Sequence, residues 1–128
     1  MDLLKVDHLS VDFVQGSKPF HAVRDVSLSI KKGETLALVG ESGSGKSVTA
    51  HSVMGLLPPS AKLEQRTSIL FDGQELLNKQ EKELQLLRGN RIGMIFQEPL
   101  SSLNPLHTIG KQIAESLQLH QGVDLNQL

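Results

Sequence analysis

The sequence contains no cysteine, no tryptophan, no tyrosine and only four phenylalanines. Without cysteine there is neither a disulfide framework nor a thiolate metal site. With so few aromatics, a stacking surface for single-stranded nucleic acid is hard to build. A strongly basic balance is missing too: 13 Lys+Arg stand against 14 Asp+Glu. That argues against long tracts of bare nucleic acid as a partner. No apolar run approaches the roughly 18 residues that span a bilayer. The N-terminus, MDLLKVDHLSVDF, lacks the basic and apolar regions of a secretory leader. The five histidines show no metal-ligand spacing. What remains, at 128 residues, is enough for one small domain with a core.

Residues 4–14 alternate apolar and polar, with one irregularity near His8, and predict a strand. Residues 15–19 read as a loop, residues 22–30 as a second strand, and residues 31–34 as a turn. Two amphipathic strands so joined are expected to pair antiparallel, with one face wet. Residues 35–39, TLALV, are continuously apolar and predict a strand buried on both faces. The following KSVTAHSVMGLL predicts a helix stopped by Pro58 and Pro59. Further on, residues 68–71 read as a short strand and Asp72-Gly73 as a turn. Residues 75–87 read as mostly helical, with a solvated charge cluster at Glu81, Lys82 and Glu83. Residues 91–96, RIGMIF, read as a second buried strand, and residues 109–120 as an amphipathic helix.

Between the apolar run and the first helix lies Gly40-Glu-Ser-Gly-Ser-Gly45-Lys46-Ser47, the P-loop pattern. Several backbone N–H groups must converge on a phosphate. Glycines at 40, 43 and 45 remove the Cβ atoms and permit the turn. Ser42, Ser44 and Val48 complete the loop and the first helical turn. The helix aims the positive end of its dipole at the same anion. Lys46 is expected to reach the β- and γ-phosphates of ATP, and the Ser47 hydroxyl to ligate Mg²⁺. Buried strand before and helix after is the context that separates a P-loop from a Gly-Ser linker.

KKGETLALVGESGSGKS, with MIFQEPLSSLNPLHTIGKQI about fifty residues past the lysine, resembles the nucleotide-binding subunits of ABC transporters. The second stretch is closest to the subgroup importing peptides, oligopeptides and nickel, microcin C uptake systems included. The resemblance covers nearly the whole chain. It implies an α/β, P-loop NTPase fold, an ABC-type nucleotide-binding domain present in part. Residues 1–96 would form an antiparallel β-subdomain with the P-loop. Residues 97–128 would form the Q-loop and the start of a helical subdomain. Gln97 would be the Q-loop glutamine, touching Mg²⁺ and the attacking water. An aromatic of the first hairpin would stack on adenine: Phe13, with Phe20 as the alternative. Where the family usually carries glycine before the ILFDG strand, this chain has Thr67, for which only a local change in the turn is expected.

The implied partners are transmembrane permease subunits, met through residues 97–108, and a second nucleotide-binding domain, with no nucleic acid. The implied location is cytoplasmic, peripheral on the inner face of the membrane. Nothing in residues 109–128 resembles the family's signature motif, Walker B aspartate, catalytic glutamate or switch histidine. The chain by itself is therefore expected to bind nucleotide without turnover, and to self-associate through exposed strand edges at 35–39 and 91–96. Two other readings stay open: a soluble ABC-type ATPase acting on nucleic acid or ribosomes, and a non-catalytic nucleotide-binding fragment.

Overall fold

The computed structural model describes residues 2–41, 43–95 and 105–121. The chain divides into two compact units, Met1–Gln80 and Glu81–Leu128. In the first, β1 (Asp2–Gln15) and β2 (Lys18–Lys31) form one long antiparallel hairpin. The expected loop at 15–19 is tighter than the sequence suggested, because Gln15 already faces Lys18.

On its other edge β1 takes two partners in succession. Residues 4–7 pair with β4 (Ser68–Phe71), and residues 11–13 pair with β3 (Ala61–Leu63). β5 (Gln74–Glu75) folds back on β4 through Asp72 and Gly73, whose φ angles are 52 and 80. That pair of positive φ values suits a two-residue hairpin turn. The sheet order is β2-β1-β4-β5, with β3 beside β1.

The core of this unit sits on one face of the sheet. Val6, Leu9, Val11 and Ile69 are fully buried, joined by Val23, Met54, Phe71 and Leu76. Each such side chain contributes about 1.5–3 kcal/mol relative to exposure. Val6 faces Leu28 and Leu9 faces Val26, so β1 holds one residue more than β2 between these pairs. This bulge is the irregularity visible near His8, which takes φ 51.

α1 (Lys46–Met54) follows the glycine loop. It stops at Gly55, φ 69, whose N–H closes on Ser52. The prolines at 58 and 59 are therefore not the terminator. A left-handed glycine ends the helix one turn sooner and satisfies its last carbonyls.

Three further expectations are corrected. Residues 35–39 form no strand and are exposed, with Leu36 at 44%, Leu38 at 46% and Val39 at 86%. A strand buried on both faces needs a ladder on each edge and cover on each face. No described strand pairs with this segment. Residues 91–95 likewise form no strand: Ile92 makes a single parallel bridge with Arg88, and Ile95 is 88% exposed. Phe96 lies outside the described residues. Among the described residues, no strand edge is accordingly formed at 35–39 or 91–95. The helix expected over 75–87 is only α2 (Glu81–Leu87), because Glu75 belongs to β5. There the Glu75 carboxylate accepts from the Ser68 hydroxyl at 2.8 Å and the Ile69 N–H at 3.2 Å, cross-strand bonds that hold the hairpin.

The second unit contains α2 and α3 (Ile109–Gln121). Glu81 and Glu83 sit in the first turn of α2, where acidic residues suit the helix dipole. Glu81 also accepts from the Arg88 guanidinium at 2.6 Å. Ile109 and Ile113 of α3 are each 63% exposed. No described helix is long and apolar enough to cross a membrane.

Candidate functional site

The glycine loop carries the chain from the exposed 35–39 segment into α1. Gly45 is the residue before the helix, at φ 95, and no side chain caps the helix. Its first-turn N–H groups have no carbonyl partner within the helix. No acidic residue occupies that turn. The result is an electropositive backbone end with nothing negative built into it.

Two glycines of the loop meet different neighbours. A Cβ on Gly45 would lie 2.8 Å from the Ala22 carbonyl oxygen and 3.3 Å from Val23 Cγ2. The loop is therefore seated directly on the backbone of β2. A Cβ on Gly40 would lie 2.5 Å from Ser44 Oγ, because the loop folds back on itself. The Ser44 N–H donates to the Glu41 carbonyl at 3.1 Å, closing the turn.

Lys46 lies across this turn. Its Nζ donates to the Gly40 carbonyl, to the Glu41 carbonyl at 2.9 Å and to Ser44 Oγ at 3.5 Å. The ammonium is thus held by neutral oxygens at the open end of a helix. Three hydroxyls of α1 behave differently. Thr49 Oγ1 donates to the Gly45 carbonyl at 2.8 Å, and Ser52 Oγ to the Val48 carbonyl at 2.7 Å. The Ser47 hydroxyl makes no bond to a described residue, and Ser47 is exposed. Val48 is half-buried behind it.

A cleft of about 280 Å³ opens beside the loop, lined by Ala22, Val23, Leu38, Val39, Ser44 and Lys46 among others. The contribution of β2 to it was not legible in the sequence. The only signal was the demand of Gly45 for a close neighbour, and that neighbour is twenty-three residues away. Buried Thr49, which anchors the loop from beneath, was likewise missed.

Gly40, Gly43, Ser44, Gly45, Lys46, Ser47 and Val48 follow one another through the turn and into the first turn of α1. Ser42 and Gln97 lie outside the described residues, as do residues 97–104. Phe13 and Phe20 face one another across the hairpin. Phe13 is half-buried and also faces Ala61 of β3, whereas Phe20 is 62% exposed. Thr67 does more than adjust a turn: it is 7% exposed, and its hydroxyl donates to the His8 carbonyl at 3.0 Å.

Comparison with known proteins bears on the whole arrangement. The chain is 55% identical over 121 residues to the peptidoglycan transport ATP-binding protein YejF of Agrobacterium fabrum, covering 94% of this chain and 22% of that protein. It is 48% identical over 121 residues to the oligopeptide transport ATP-binding protein OppD of Bacillus subtilis, covering 94% and 34%. It is 48% identical over 122 residues to the dipeptide transport ATP-binding protein DppD of Escherichia coli, covering 95% and 37%. The chain thus spans 22% to 37% of the length of these relatives.

The fold is similar to that of the ATP-binding cassette MJ0796 in a dimeric, post-hydrolysis state bound to ADP and Pi. The TM-score is 0.76 at 27% identity, over 89% of this chain and 46% of that one. The sheet and helices described above are part of an α/β ABC-type nucleotide-binding domain. Since the ABC transporter family matches residues 23–127, the end of the hairpin, the loop and the helix it opens included, this chain belongs to that family.

Proposed function

We propose that this chain supplies the ATP-binding part of an ABC transporter ATPase that powers import of peptides or related solutes. One observation carries the reading: the Lys46 ammonium rests on the Gly40 and Glu41 carbonyls at the uncapped N-terminus of α1. Phosphate oxygens are stronger acceptors for an ammonium than neutral carbonyls. A bound triphosphate takes over the lysine and meets the open N–H groups at the same time. The names of the relatives, peptide transport ATP-binding proteins, support the solute class.

The residues present fit Mg-ATP. Gly40, Gly43, Ser44, Gly45, Lys46, Ser47 and Val48 surround the phosphates, and Ser42 completes the loop in this reading. The Ser47 hydroxyl, which is not spent on its own helix, would hold Mg²⁺ together with Gln97. Among the described residues no group of three His, Asp or Glu could hold a metal. Mg²⁺ would come with the nucleotide, since it is commonly held by one or two protein groups together with substrate phosphates. When bound, the ion neutralises charge on the transferring phosphoryl group. Phe13 stacks on the base.

In the same reading residues 1–96 carry the nucleotide and residues 97–128 begin the coupling region. A transmembrane permease is met through residues 97–108, and a second nucleotide-binding domain closes the site. The chain works on the inner face of the membrane. By itself, the 128-residue polypeptide binds without turnover, because it contains no counterpart of the signature motif or the general base.

Calorimetric titration with Mg-ATP, with Lys46→Ala as control, tests this. Saturable binding lost in the variant, with no steady-state hydrolysis, is expected. Equal binding by both proteins, or hydrolysis abolished by Lys46→Ala, counts against the reading.

A further inference from the structure

The bulge in β1 is held by hydroxyls from three different segments. The His8 N–H donates to Ser27 Oγ at 3.0 Å. The Asp25 N–H donates to Ser10 Oγ at 2.8 Å. His8 and Asp25 both take positive φ, 51 and 47, and His8 Nδ1 lies 2.8 Å from Asp25 Oδ1. On the opposite edge β1 leaves β4 after Asp7 and joins β3 at Val11. Residues 8–10 have no described strand partner on that side, and the Ser10 carbonyl accepts from the Glu64 N–H at 3.1 Å. Buried Thr67 fills the gap: its Oγ1 donates to the His8 carbonyl at 3.0 Å and accepts from the Ser10 N–H at 3.3 Å.

The bulge decides the parity of everything after it. Along a regular strand, residues sharing the face of Val6 would be 8, 10 and 12. With one extra residue they are Leu9, Val11 and Phe13. Leu9 and Val11 are fully buried, which shows that the switch has occurred. Lost, the bulge would put Asp12 where Phe13 stands, since a slip of one residue exchanges the two faces.

We infer that Thr67 is a positioning residue for the base end of the nucleotide: its hydroxyl holds the bulge that sets which face of the hairpin presents Phe13. The inference rests on the reading of Phe13 as the stacking residue. Thr67 acts through β1 and touches no ligand. Valine matches threonine in shape but has no hydroxyl, and it leaves the His8 carbonyl and Ser10 N–H without their buried partner.

The experiment compares calorimetric affinities for Mg-ATP and for magnesium tripolyphosphate, which has the phosphates but no base. The proteins are wild type, Thr67→Val, Thr67→Ser and Phe13→Ala. Backbone nuclear Overhauser contacts from Phe13 to Phe20 and Ala61 report the register directly. Thr67→Val is expected to lower the ATP-to-tripolyphosphate ratio about tenfold, the order of one base–aromatic stack. It is also expected to replace those contacts, while Thr67→Ser keeps both. Ser27→Ala removes the clamp on the other edge and is expected to shift the ratio the same way, which keeps the test open if Thr67→Val does not fold. An unchanged register and ratio in Thr67→Val, alongside a lowered ratio in Phe13→Ala, overturns the positioning role. So does equal loss for both ligands. An unchanged ratio in Phe13→Ala overturns the stacking reading itself, and the role of Thr67 toward the base with it.

Discussion

Lys46 Nζ donates to the Glu41 carbonyl at 2.9 Å and also to the Gly40 carbonyl, so the lysine closes its own loop. Removing the ammonium should loosen the loop even without nucleotide. Lys46→Ala is expected to speed amide exchange at Ser44, whose N–H is tied to Glu41 at 3.1 Å, while the amide of Thr49 within α1 is unaffected. Equal protection of Ser44 in both proteins would show that the glycine turn stands without the lysine.

The glycines of the loop should differ in sensitivity. Alanine at 45 combines φ 95 with a Cβ 2.8 Å from the Ala22 carbonyl, a backbone atom that cannot step aside. Alanine at 43 meets φ 84 but open space. Left-handed strain alone costs about 1–2 kcal/mol per residue. Gly43→Ala is expected near that value and Gly45→Ala clearly above it, read from urea unfolding midpoints. The reverse order would mean that the loop does not rest on β2.

Acid should weaken the hairpin through Asp25. Its hydrogen bond from His8 holds the Asp25 carboxyl below its ordinary 3.8, with the charges of His8 and Arg66 acting the same way. A carboxylate whose pKa is lowered by folding stabilises fully above its unfolded value and loses that contribution as pH falls through the folded one. Asn tolerates positive φ, so Asp25→Asn removes the charge without new strain. The stability difference between wild type and Asp25→Asn is therefore expected to be fully present near pH 5 and to shrink below about pH 4. A difference independent of pH in this window would refute the pairing.

Apolar residues of equal size should divide sharply by place. Leu9 is fully buried and Leu38 is 46% exposed. Leu9→Ala is expected to cost about 2–5 kcal/mol, as a cavity in a packed core. Leu38→Ala is expected within about 0.5 kcal/mol, as a surface change. Comparable losses would show that residues 35–39 are packed in solution.

The hairpin, the β4 strand, the Asp72-Gly73 turn and α3 were legible because each is signalled by neighbours in sequence. Alternation marks Val26, Leu28 and Ile30. Two turn residues with positive φ mark the β4–β5 connection. The phosphate loop was legible for the same reason: its glycines, lysine and serine serve one another within eight residues. Where reading failed, the deciding partner was remote or missing. Residues 35–39 have the composition of a doubly buried strand but no described strand beside them. Residues 75–87 have helical spacing, but Glu75 is claimed by Ser68 and Ile69 across the sheet.

The sequence by itself determined that a phosphate-type loop opens a helix here, that an antiparallel hairpin precedes it, and which family the chain resembles. These are matters of local backbone preference and short-range pattern, written residue by residue. The tertiary structure alone decided that Gly45 sits on β2, that Lys46 rests on its own loop, and that Phe13 rather than Asp12 shares the face of Val6. The last depends on Thr67 bonding His8 from fifty-nine residues away. No periodicity records such a bond, because it exists only once the sheet has brought β1 and the start of β4 together.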